Sequence, residues 1–119
     1  MFELTWVNKP GSSLYIEYNY LENPDYMYKR FTANTYTLAE KLGATVVPVG
    51  TYWQYALSQE PAIELYGPDG HHPSIAGAYL AALTFYKTLT GSDVRKITFH
   101  PSGVTKEEAD KLKAIVAGR

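Results

Sequence analysis

Cysteine is absent from the 119 residues, which excludes disulfides and thiol chemistry and leaves the redox compartment undetermined. Charge of either sign is scarce in excess: the net charge is −1, so no broad field draws in nucleic acid or anionic lipid. No basic run or nucleic-acid motif occurs, and no stretch approaches the ~18 apolar residues of a membrane span. The opening residues Met1-Phe2-Glu3-Leu4-Thr5-Trp6 lack the basic and apolar regions of a signal peptide, so a cytoplasmic location is expected for the chain as given. Low-complexity segments and internal repeats are likewise missing.

What is present is a globular composition with 45% apolar residues, enough for one domain spanning residues 1–119. Tyrosine is abundant, with eleven residues, five of them from Tyr15 to Tyr28. Its apolar body and polar tip suit interfaces and wet clefts as well as ordinary half-buried packing.

Residues 2–7 read as a strand, and Pro10-Gly11-Ser12-Ser13 as a turn. Residues 14–20 read as a strand or an ordered loop. Asn23 and Pro24 predict a helix start, with apolar positions recurring to Leu42 and Gly43 closing the helix. Residues 44–49 predict a buried strand, 51–58 a short helix carrying Trp53, and 61–72 a loop. Residues 74–90 give the strongest helical pattern, closed by Gly91. Thr105 and Glu108 form a capping box that opens a final amphipathic helix to about Val116. The order implies an α/β fold with a short parallel sheet, thin for an independent domain.

The chemistry concentrates in Asp69-Gly70-His71-His72-Pro73-Ser74. Three residues apart in a tight turn, the Asp69 carboxylate can reach Nδ1 of His72, fix its tautomer and leave Nε2 to take a proton from a hydroxyl. Pro73 suits a helix start, and Gly77 a close helix contact. Two other readings stay open on pattern alone. One is a structural turn capped by Asp69. The other is a metal held by Asp69, His71 and His72, although three ligands from four consecutive residues converge poorly and metal spacings on a helix are absent.

The run Asp69-x-x-His72-Pro73-Ser74-x-x-Gly77-x-Tyr79 resembles the last conserved block of SGNH/GDSL-type hydrolases. The likeness extends upstream through residues 43–50 and Trp53-Gln54-Tyr55-Ala56-Leu57, and downstream through residues 79–91; residues 2–6 resemble the preceding strand. The resemblance implies an incomplete flavodoxin-like α/β/α layer structure, the C-terminal portion of that fold. It implies a carboxylic-ester hydrolase of esterase or lipase type, acting on a small acyl ester without a cofactor. His72 would be the general base, Asp69 its orienting carboxylate, and His71 non-catalytic.

The chain departs from that family on the nucleophile side: neither Gly-Asp-Ser nor Gly-x-Asn-Asp occurs. One oxyanion donor is typically worth about 3–4 kcal/mol in the barrier, so the departure is serious. Ser12 and Ser13, after Gly11, are candidate replacement nucleophiles, against the alternative of a plain polar turn. Asn8 is a candidate oxyanion donor by neighbourhood. Ser74 is implied to start a helix, and Ser58, Ser92 and Ser102 lack supporting context. His100-Pro101-Ser102 repeats the letters of His72-Pro73-Ser74 without an Asp three residues ahead, and reads as a loop. The competing function is a catalytically inactive truncated remnant serving as a binding or assembly module. An incomplete sheet would expose an edge, so a homo-oligomer is expected, with the Tyr15–Tyr28 segment in the contact or over the cleft.

Overall fold

Asn23 opens the first helix as its chemistry requires. Its side-chain oxygen accepts from the backbone N–H of Asp25 (2.9 Å) and Tyr26 (3.3 Å), and Pro24 follows at the position where no N–H is needed. The computed structural model describes residues 1–12 and 23–119. The expectation for residues 14–20 therefore lies outside the described residues, as do Ser13, Tyr15, Tyr18 and Tyr20.

Strand β1 (Phe2–Glu3) is followed by helix α1 (Pro24–Leu42), strand β2 (Val46–Val47), helix α2 (Val49–Gln59), helix α3 (Ile75–Thr90), a short 3-10 turn (Val94–Lys96) and helix α4 (Lys106–Ala117). The strands pair in parallel, with Phe2 opposite Val46 and Glu3 opposite Val47. The chain is thus of mixed α/β character around a two-stranded parallel sheet, with no third strand among the described residues.

Residues 2–7 were expected as one strand, and only the first part joins the ladder. Phe2 N–H donates to Thr45 O and Leu4 N–H to Val47 O, both at 2.8 Å. Past Leu4 the partner strand has already turned into α2: Gly50 N–H donates to Leu4 O (2.7 Å), and Pro48 O accepts from Tyr52 N–H. That is also why α2 begins at Val49 rather than Thr51. Residues 6–9 then leave the sheet and bond to the loop before α3, as described below.

The main core lies among α2, α3 and α4, which pack on one another. Trp53, Leu80, Leu112 and Val116 are fully buried there, and each such side chain contributes roughly 1.5–3 kcal/mol when removed from water. Trp53 stacks on Trp6, with ring centroids 4.5 Å apart and planes within 9°, and meets the Tyr66 ring edge-on at 5.3 Å. Gly77 lets α3 approach this stack. A Cβ there would collide with Leu65 O and lie 2.6 Å from the Trp53 ring.

Helix α1 contacts both strands through few side chains. Met27 packs with Val7, while Tyr36, Leu38 and Leu42 remain exposed. Gly43 ends it in the left-handed conformation (φ 63°). The capping box of α4 forms in both directions: Thr105 Oγ1 accepts from Glu108 N–H (3.1 Å), and Glu108 Oε1 from Thr105 N–H (3.0 Å). At α3 the cap is Ser74, so the helix starts two residues later than a proline-initiated helix at Pro73 would. Pro73 instead bridges Tyr66 in an isolated antiparallel pair.

Candidate active site

The Asp69–His72 loop is closed from within. Gly67 N–H donates to His72 O (2.7 Å), Gly70 N–H to Gly67 O (3.0 Å) and Ser74 N–H to Leu65 O (2.8 Å). Asp69 Oδ1 accepts from the backbone N–H groups of His71 and His72, both at 2.8 Å, and Oδ2 pairs with His72 Nδ1. These bonds favour the ionised carboxylate. The His72 side chain acts most strongly, then the two backbone N–H groups, and together they hold Asp69 well below the usual carboxylate range. The His72 ring is 75% exposed, and Nε2 has no hydrogen-bond partner among the described residues. It is therefore free to meet an incoming proton donor.

A carboxyl whose folded pKa is depressed contributes stability above its unfolded value, near 3.9, and loses it as pH falls from there toward the folded value. Asp69→Asn should therefore flatten the stability profile on the acid side. Urea midpoints between about pH 5 and pH 2.5 should fall less steeply in the variant than in the wild type. Parallel profiles would show that the loop interactions are not coupled to folding.

A second set of bonds ties this loop to the segment leaving β1. Trp6 Nε1–H donates to His71 O (2.9 Å), Tyr66 Oη–H to Val7 O (2.9 Å) and Lys9 N–H to Gly70 O (2.8 Å). His71 Nδ1 lies 2.8 Å from Asn8 Oδ1, and Asn8 is only 1% exposed. The candidate oxyanion donor thus has its amide oxygen committed to His71. The His71 and His72 rings meet at 69°, with centroids 4.9 Å apart. Sequence reasoning set His71 aside and missed Trp6, because bonds spanning 63 and 65 residues leave no local pattern.

Ser12 closes a turn in which its N–H donates to Lys9 O (3.0 Å). It lines an open cleft of about 730 Å3 together with Lys9, Glu64, Tyr66 and Asp69. A Lys9–Glu64 ion pair at 2.8 Å crosses that cleft and, with the Tyr66 N–H, lowers the Glu64 pKa. The Ser12 hydroxyl is buried and has no hydrogen-bond partner among the described residues, His72 included. Ser13 lies outside the described residues. Ser74 is fully used as a cap, donating to Glu64 O (2.7 Å) and accepting from Gly77 N–H (3.1 Å). His100 belongs to the loop before α4, its Nδ1 bonding to Val104 O (2.7 Å).

Among the described residues, no three His, Asp or Glu side chains converge as a metal site, and no helix is long and apolar enough to cross a membrane. No protein-family model matches the chain, and no curated protein matches it. Among solved structures, it is similar to a DUF4886 family protein from Bacteroides uniformis, with a TM-score of 0.85 and 23% identity. The alignment covers 98% of this chain and 45% of that one, so the chain spans less than half the length of its structural neighbour.

Proposed function

We infer that the chain is the C-terminal part of an SGNH-type hydrolase fold and supplies the general base for hydrolysis of a small carboxylic ester. One observation carries this reading: Asp69 Oδ2 holds His72 Nδ1 while His72 Nε2 stays open to solvent. An imidazole fixed in that way takes the proton from an attacking hydroxyl and returns it to the departing alkoxide. The carboxylate orients the ring and stabilises the imidazolium that forms. The parallel β1–β2 pair, with α1 joining its strands and α3 following the loop, supports the layered fold.

Ser12 is the proposed nucleophile within the chain, since it shares a cleft with Asp69. Its hydroxyl would have to turn out of its buried position to reach His72. The second reading is a catalytically inactive module, favoured by the absence of any hydroxyl bonded to His72 among the described residues. Self-association is part of either reading, supported by the exposed Tyr36, Leu38 and Leu42 of α1 and by the short sheet.

The test is hydrolysis of p-nitrophenyl acetate by the pure protein and by Ser12→Ala. Turnover that the variant loses by about a hundredfold or more assigns the acyl-accepting oxygen to Ser12. Turnover kept by Ser12→Ala assigns it to another hydroxyl. A wild type with no turnover favours the inactive module.

A further inference from the structure

The base itself is held by little. Both members of the Asp69–His72 pair are largely exposed, and apart from the single Oδ2–Nδ1 bond the loop bonds fix backbone rather than the imidazole. Yet one ring does lie against His72, and that ring is anchored. His71 places its imidazole 4.9 Å from that of His72, and its Nδ1 meets Asn8 Oδ1 at 2.8 Å. An amide oxygen only accepts, so His71 must carry its proton on Nδ1. Asn8 sits at 1% exposure next to Val7, where an apolar residue would pack with no polar atom to satisfy. The indole of Trp6 holds the His71 carbonyl at 2.9 Å, so backbone and ring are fixed from the same strand exit.

We propose that His71 is a positioning residue for His72: the Asn8–His71 bond sets the His71 ring as a wall that keeps the His72 imidazole turned with Nδ1 on Asp69. The inference rests on reading His72 as the base. In its absence the exposed His72 ring would rotate and exchange tautomers, placing Nε2–H where a proton acceptor is needed. Asn8 thereby acts on the base through one intervening side chain.

Two-bond proton–nitrogen NMR on 15N-histidine-labelled protein reads the tautomer of each of the three histidines directly. The wild type should show His72 protonated on Nδ1. In His71→Ala the ratio of that tautomer to the other should fall about fivefold, the scale of one ordinary hydrogen bond. His71 is exposed and its loss removes one bond to Asn8, so this variant should fold, whereas Asn8→Ala removes a buried group. If Asn8→Ala folds, it should lower the ratio similarly, and adding His71→Ala should change little more, since both act through one chain of contacts. Where turnover is measurable, kcat should fall by up to about fivefold, following the loss of the competent tautomer, with KM unchanged. An unchanged His72 tautomer ratio in His71→Ala overturns the proposal. So does a full second effect in the double variant. An inactive wild type would sink the ester-hydrolase reading alone, because the NMR result needs no turnover.

Discussion

With His72 replaced by Ala, hydrolysis of a short-chain p-nitrophenyl ester should drop at least about a hundredfold, within the range general acid–base catalysis supplies. The loss should appear in kcat, because the imidazole acts on a proton in flight and makes no contact that would hold substrate. Stability should barely move. The His72 side chain is 75% exposed, so its bond to Asp69 Oδ2 is weakened by solvent, and Ala retains the backbone N–H and C=O bonds of the loop. Matched urea midpoints with divergent rates would therefore separate chemistry from folding. Equal rates in the two proteins would remove His72 from the mechanism and leave the Asp69 pair as a loop clasp.

Trp53→Ala should be the most damaging change to the fold, destabilising it by about 3–5 kcal/mol. Single domains hold only about 5–15 kcal/mol in total, so the variant would stand near its unfolding limit. The indole is fully buried, stacks on Trp6, takes the edge of Tyr66, and fills the space that Gly77 leaves open. Removing it strips contacts from the segment leaving β1, the loop at Tyr66 and α3 at once. The Trp6 side chain would lose its stack, and with it the rigidity behind its bond to the His71 carbonyl. Urea unfolding gives the measurement. A loss under about 1 kcal/mol would mean that Tyr66 and Leu65 collapse into the void.

Much of this organisation is written in neighbouring letters. Asn23 before Pro24, Gly43 after Leu42, and Thr105 three residues ahead of Glu108 each satisfy backbone groups within one helical turn, and each forms as the spacing predicts. Asp69 and His72 belong to the same kind: three residues suffice to bring carboxylate and imidazole together. What the letters did not carry depends on pairing across the chain. Residues 2–7 have the composition of a strand, and nothing in them tells that Trp6, Val7 and Lys9 exchange a sheet partner for the 66–71 loop. Asn8 looked like a donor to a reacting oxygen because it stands near Ser12. Its partner, 63 residues away, could be found only in three dimensions.

That contrast between near and far partners has a consequence in time. Closing the Asp69–His72 turn orders a handful of residues, whereas each Trp6 or Asn8 contact to His71 must close a loop of more than sixty. The near pair can assemble during the earliest local events of folding and re-form quickly after any opening. The distant anchors arrive only with the tertiary structure. Until they close, carboxylate and imidazole can meet without the His71 wall beside them.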